Sequence, residues 1–231
     1  MKDTPTVVGH RGWPTRFPDN TLAGFLAAAT VADSVETDIR RSADGKLVLS
    51  HDPDIGGLEV ADHTWSVLAE LDMGDGNHPA LLDEAMAAIP GTSFQFEIKN
   101  LPHEPGFEPD HRVALDTAER ARPGDIVTSF NWVTLATVHR VFPEVATGVL
   151  VGGSSDIYEA IDECLDVGHP ALLPSIQWPT TDIARALDAG LQVYPWVVNE
   201  PRRVEELADL GVSGIITDDP AAVRSALERH R

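Results

Sequence analysis

From end to end, the chain alternates short β-branched runs with longer amphipathic ones, and this rhythm narrows its fold more than any other feature. Strand-like runs are Pro5–Gly9, Val35–Ile39, Lys46–Ser50, Ser93–Lys99, Ile126–Ser129, Ala146–Val151, Ala171–Pro174, Gln192–Val198 and Gly214–Thr217. Helical periodicity marks Thr21–Ala32, Leu81–Ile89, His111–Ala121, Trp132–Val141, Asp156–Val167, Thr181–Ala189, Pro201–Leu210 and Pro220–His230. Asn20 stands where an N-cap belongs, Pro201 and Pro220 suit first helical turns, and Gly190 and Gly211 suit helix stops. Repeated strand–helix–strand units place parallel strands inside and helices outside. They predict an α/β fold, a (β/α)8 TIM-like barrel, as a single domain over residues 1–231.

Nine strand runs are one more than such a barrel uses. Between Val35–Ile39 and Lys46–Ser50 stand only Arg40-Arg41-Ser42-Ala43-Asp44-Gly45, too few residues for a crossover helix. Asp-Gly between strand-like runs signals a tight hairpin. Lys46–Ser50 is therefore expected as an added antiparallel strand near the catalytic rim. A two-residue turn at Asp44-Gly45 sets His51 opposite Asp38, on the same face. The irregular stretches Asp52–His78 and Asn100–Asp110 follow strand ends and are expected to form rims over a site.

Strands of a parallel sheet are covered on both faces and should be apolar throughout. Two of them break that rule alike. Glu36 and Asp38 alternate with Val35, Thr37 and Ile39; Gln95, Glu97 and Lys99 alternate with Phe94, Phe96 and Ile98. If the apolar set faces the helices, Glu36, Asp38 and Glu97 all point into the barrel mouth. Three carboxylates there repel one another and resist desolvation unless a cation neutralises them. An all-oxygen set suits one hard divalent cation, Mg²⁺ or Ca²⁺, with Mn²⁺ also fitting. The competing reading is an ion-pair network with Arg40, Arg41 and Lys99.

His10 and His51 end strand runs, where barrel chemistry is carried, and histidine suits proton transfer near neutrality. Either one alone reads more readily as a structural strand-end residue. Arg11 and Lys99 are the cations beside this face, and a guanidinium fork matches phosphate oxygens. The formal charge of −20 leaves no basic field for nucleic acid or an anionic membrane surface. The single Cys164 excludes an intrachain disulfide and reads as core filler. There is no apolar leader core after Met1 and no run of about 18 apolar residues, so a cytoplasmic protein without a membrane span is expected. No sequence signal bears on oligomeric state.

The order of motifs resembles the glycerophosphodiester phosphodiesterase family over nearly the whole chain. These are Gly9-His10-Arg11-Gly12, Pro18-Asp19-Asn20-Thr21, Glu36-Thr37-Asp38, Asp44-Gly45-Lys46-Leu47-Val48, His51-Asp52 and Glu97-Ile98-Lys99. In the second half come Ser129-Phe130, Tyr194-Pro195-Trp196-Val197-Val198-Asn199 and Gly211-Val212-Ser213-Gly214-Ile215-Ile216-Thr217-Asp218. The resemblance implies metal binding by Glu36, Asp38 and Glu97, acid–base catalysis by His10 and His51, and phosphate binding by Arg11 and Lys99. It also implies a pocket wall at Trp196, for which core packing is the alternative. The implied substrate is a small glycerophosphodiester, cleaved to glycerol phosphate and an alcohol. Two departures stand out: Asp19 replaces the family's usual Glu, and Trp196-Val197-Val198-Asn199 replaces Trp-Thr-Val-Asn. A lysophospholipase D with an acyl slot ranks second, since the two rim stretches lack a clear apolar cluster. A non-catalytic phosphate-binding barrel ranks lower, and a metal-dependent aldolase or isomerase lower still.

Overall fold

A computed structural model describes residues 4–230. Its main sheet follows chain order except at one branch. Strands β1 (Thr6–Gly9) and β2 (Ser34–Arg41) lead, with β3 (Leu47–Leu49) pairing β2 antiparallel. The small ribbon β4 (Asp54–Ile55) and β5 (Leu58–Glu59) stands apart. Then come β6 (Ser93–Ile98), β7 (Ile126–Ser129), β8 (Ala146–Val151), β9 (Ala171–Pro174), β10 (Gln192–Val193) and β11 (Gly214–Thr217). β1, β2 and β6 to β11 are parallel to their ladder neighbours, and β11 pairs back onto β1. Helices alternate with them: α1 (Leu22–Ala28), α2 (Trp65–Leu68), α3 (Leu82–Ala88), α4 (Arg112–Ala118), α5 (Trp132–Val141), α6 (Ile157–Val167), α7 (Thr180–Asp188), α8 (Pro201–Leu210) and α9 (Pro220–His230). This is the eight-stranded TIM barrel that the alternation predicts, with β3 added at its edge.

The seam between β10 and β11 departs from the expected strand Gln192–Val198. Only Gln192–Val193 is regular. Pro195 has no N–H to give to a ladder, so the chain continues irregularly. Closure is instead made by Ser213 N donating to Val193 O, Ile216 N to Pro195 O and Val198 N to Ile216 O, at 2.9, 3.1 and 2.9 Å. Between sheet and helices lies the large apolar core, which includes Val35, Ile39, Phe94, Phe96 and Ile98. A smaller cluster fills the barrel interior: Val8, Leu150, Ala171, Leu173 and Ile216, with Phe130, Tyr194 and Trp196 against it.

The hairpin register differs by one residue from the expected one. Ile39 pairs with Leu49 and Arg40 with Val48. Ser50, not His51, therefore lies opposite Asp38, and its N–H donates to Asp38 O at 3.1 Å. The loop holds three residues, Ala43, Asp44 and Gly45, with Gly45 at φ +79° as its left-handed closing position. Asp44 is drawn out of a two-residue turn by its own carboxylate, which accepts from Ser42 Oγ at 2.7 Å and Trp65 N at 2.9 Å.

The stretch expected as a rim, Asp52–His78, builds a small core of its own. Val48, Ile55, Val60 and Leu68 are buried there, with Leu58, Trp65, Leu71, Met73 and Leu81 packed on them. So this stretch does hold an apolar cluster, and it is spent internally. The expected N-cap of the first helix is also corrected. Thr21 caps α1 and accepts from Gly24 N, which frees Asn20 for the site. At α6 the cap is Asp156, whose side chain accepts from Tyr158 N.

Candidate active site

β2 and β6 run side by side in register, with Glu36 beside Gln95 and Asp38 beside Glu97. The even positions of β2 and the odd positions of β6 point inward, and Glu36, Asp38 and Glu97 bring carboxylate oxygens to within 4.8 Å of one another. All three residues are less than a tenth exposed. Burial and then the charge of Asp38 push Glu36 up to about 8, against the pull of His10. Glu97 is likewise raised by burial. Burial would raise Asp38 too, but Lys99, Arg11 and the Asn20 amide outweigh it and hold Asp38 at about 2.

Arg11 and Lys99 reach the cluster; Arg40 and Arg41 do not. Lys99 Nζ lies 2.9 Å from Asp38 Oδ1 and also bonds Glu97. Arg11 Nε lies 3.2 Å from Asp38 Oδ2 while Nη1 donates to Asp19 Oδ2 at 2.9 Å. Arg40 turns away to Glu104 and Arg41 to Glu108 and Asp116. The ion-pair reading thus retains only Lys99 of its three cations. Glu36 Oε1 is buried and accepts no hydrogen bond. An unpartnered buried carboxylate oxygen beside two more carboxylates fits a hard divalent cation. Asn20, unassigned by sequence reasoning beyond a cap, is buried at φ +58° and donates to Asp38 Oδ2 at 2.9 Å. Its oxygen accepts from Thr37 Oγ1 at 2.7 Å.

His10 sits at the end of β1, in a sharp turn that Gly12 permits. Gly12 has φ +92°, and a Cβ there would fall 2.9 Å from the Gly24 backbone. Arg11 N in the same turn donates to Glu36 Oε2 at 2.9 Å. His10 Nε2 is 3.9 Å from Glu36 Oε2, and Nδ1 is 2.7 Å from Asp218 Oδ1. Burial lowers His10, but the Asp218 bond and Glu36 outweigh it and raise it above its ordinary value. Asp218 is lowered by the same bond. Asp218 and Asn199 belong to the motifs of the second half, but no pattern in the sequence assigns either a role. The available signal was position, since Asp218 directly follows β11 at the catalytic end of the barrel.

His51 arrives by another route than the one expected. β3 ends at Leu49, and the chain bends, so the ladder does not orient the ring. The bend is held by Arg40, whose Nε and Nη2 donate to His51 O at 3.1 and 2.7 Å. The ring's Nδ1 lies 2.8 Å from Asp52 Oδ1. His10, Arg11, Glu36, His51, Glu97 and Lys99 line a cavity of about 220 Å³. Phe130, Leu150, Leu173, Trp196 and Ile216 give the same cavity its apolar lining. Trp196 is half-buried, edge-on to Phe130 at 5.6 Å, with Nε1 donating to Leu173 O at 2.8 Å. Cys164 is buried in α6, and burial pushes its thiol up to about 12, which leaves it inert as a nucleophile. Among the described residues no helix is long and apolar enough to cross a membrane.

The sequence model of the Glycerophosphoryl diester phosphodiesterase family matches residues 10–222. A glycerophosphodiester phosphodiesterase of Bacillus altitudinis is 28% identical, across 93% of this chain and 94% of its own. A glycerophosphodiester phosphodiesterase structure from Parabacteroides distasonis superposes with a TM-score of 0.86 at 22% identity, covering 99% of each chain. An Oleispira antarctica phosphodiesterase, solved in complex with the product sn-glycerol-3-phosphate, gives a TM-score of 0.85 at 21% identity, covering 97% of each. At these identities the two structures establish the shared barrel.

Proposed function

The chain belongs to the glycerophosphoryl diester phosphodiesterase family, and from that premise we propose that it hydrolyses a small glycerophosphodiester, such as sn-glycero-3-phosphocholine or -ethanolamine, to glycerol phosphate and an alcohol. The observation that carries this reading is the convergence of Glu36, Asp38 and Glu97 on a cavity that His10 and His51 also line. Glu36, Asp38 and Glu97 would hold one divalent cation, Mg²⁺ or Ca²⁺, with Mn²⁺ also suited. Bound there, the cation polarises phosphoryl oxygens and offsets the charge of the carboxylates.

The protein's own side chains supply the remainder. Each histidine has its Nδ1 beside a carboxylate, Asp218 for His10 and Asp52 for His51, so each offers Nε2 for proton transfer. One takes the proton of the attacking oxygen as the other gives a proton to the leaving oxygen. Arg11 and Lys99 bind the phosphate, and Trp196 forms the facing wall. The cavity volume of about 220 Å³ favours a small headgroup over an acyl chain. The apolar side chains of Asp52–His78 pack largely on one another, which supports keeping the lysophospholipase D reading second.

The test is a panel of glycerophosphodiesters and lysophospholipids, with added Mg²⁺, Ca²⁺ or Mn²⁺ and with chelator. Chelator-sensitive release of glycerol phosphate is expected from the small diesters. His10→Ala and His51→Ala should each abolish turnover while still binding the cation. Silence across the panel with metal present, or near-normal turnover by either variant, would sink the proposal.

A further inference from the structure

The hydrogen bonds behind His10 form a chain whose donors and acceptors have only one consistent assignment. It begins at the backbone. Asp218 N can only donate, and it donates to Asn199 Oδ1 at 3.0 Å. Thr217 Oγ1 also donates to Asn199 Oδ1, at 2.9 Å. The Asn199 oxygen is thereby identified, and its amide nitrogen faces the other way. That Nδ2 donates to Asp218 Oδ2 at 2.7 Å. The second oxygen of the same carboxylate, Oδ1, lies 2.7 Å from His10 Nδ1. An ionised carboxylate only accepts, so Nδ1 must carry the proton. In the neutral ring, Nε2 is left with its lone pair towards the cavity.

We propose that Asp218 and Asn199 are positioning residues that together dictate which nitrogen of His10 is protonated, Asp218 by accepting from Nδ1 and Asn199 by setting the polarity of whatever stands at position 218. This rests on the reading of His10 as a proton-transfer residue. Asn199 would matter most when the carboxylate is replaced by an amide. In Asp218→Asn, the Asn199 Nδ2 donor attracts the new amide's oxygen. The new NH₂ group then faces His10 Nδ1 and donates to it. The imidazole is forced into the opposite tautomer, with Nε2–H towards the cavity and no lone pair there to accept a proton. A triad carboxylate-to-amide exchange that locks a histidine in the wrong tautomer can cost roughly 10⁴-fold in kcat. Removing the Asn199 amide as well releases the constraint. In Asn199→Ala/Asp218→Asn the side chain at 218 is free to rotate its oxygen onto His10 Nδ1.

The experiment is a long-range ¹H–¹⁵N correlation spectrum of histidine-labelled protein, recorded with excess Mg²⁺ and without substrate, beside steady-state kinetics on glycerophosphocholine. Wild type should show His10 protonated at Nδ1. Asp218→Asn should show the Nε2–H form, with kcat reduced at least 100-fold and KM changed less than threefold. The double variant should return to Nδ1–H and regain at least tenfold in kcat over Asp218→Asn. Wild type with His10 protonated at Nε2 would overturn the proposal without recourse to any variant. So would Asp218→Asn that keeps Nδ1–H, or a double variant no faster than the single one. The spectra need no turnover, so a wild type inactive on every phosphodiester would count against the enzymatic reading while the spectra still decide the polarity of the network.

Discussion

Replacing Glu36 by Gln should stabilise the cation-free protein. In the folded, cation-free state Glu36 holds its proton up to about pH 8, against an ordinary 4.5. The unfolded chain releases that proton at the lower value, so between the two the folded state must take it up again. The sign follows: stability is fully present below pH 4.5 and declines as pH rises towards 8, by about 1.4 kcal/mol per pH unit. At pH 7, two and a half units above the unfolded value, the deficit is on the order of 3 kcal/mol. Gln keeps the shape, can still accept from Arg11 N, and carries no charge to desolvate. In chelator at pH 7, Glu36→Gln should therefore gain on the order of 3 kcal/mol, or roughly 6–12 °C in Tm for a chain of this size. At pH 4.5 the two proteins should melt together. Mg²⁺ or Ca²⁺ at about 1,000 times its Kd should reverse the ranking, because it adds about 4.1 kcal/mol to a protein that binds it. Thermal and urea unfolding followed by circular dichroism, from pH 4.5 to 8 with and without cation, measures all of this. A Glu36→Gln protein less stable than wild type in chelator at pH 7 would refute the reasoning.

Three further outcomes are expected. Asn20→Ala removes the amide that binds Asp38 and Thr37 and puts Ala at φ +58°; unfolding free energy should fall by about 3 kcal/mol, and a loss below about 1 kcal/mol would contradict the role given to it. Arg40→Met removes both donors to His51 O, so kcat should fall roughly 10- to 100-fold with cation affinity unchanged by calorimetry, and unchanged kcat would show that the bend holds without Arg40. His169 is 1% exposed, and burial, then His139, lowers it to about 4. The unfolded chain takes up this proton near 6.5 while the folded protein resists it, so stability is lost as pH falls through that window and is untouched above it. Between pH 7.5 and 5, wild type should lose about 2 kcal/mol more than His169→Gln in urea titrations, and equal slopes would contradict this.

The sequence alone determined the barrel, because alternating strand and helix periods leave parallel strands inside and helices outside as the only layering that buries every apolar face. It also determined the carboxylate cluster. Strand residues alternate faces, so Glu36, Asp38 and Glu97 had to share one once Val35, Phe94 and Phe96 took the other. What depended on single-residue register was beyond it. The Asp-Gly signal located the hairpin but not its loop length, since the side chain of Asp44 found partners in Ser42 and in the distant Trp65. One extra loop residue moved His51 off the ladder, and a guanidinium contact to its carbonyl now orients it. Tertiary structure alone decided which cations meet the cluster, for Arg40 and Lys99 both end charged strands and only Lys99 turns inward. It also decided the partners of His10: Asn199 and Asp218 are 189 and 208 residues away in sequence, and only closure of the barrel from β11 onto β1 brings them behind that ring.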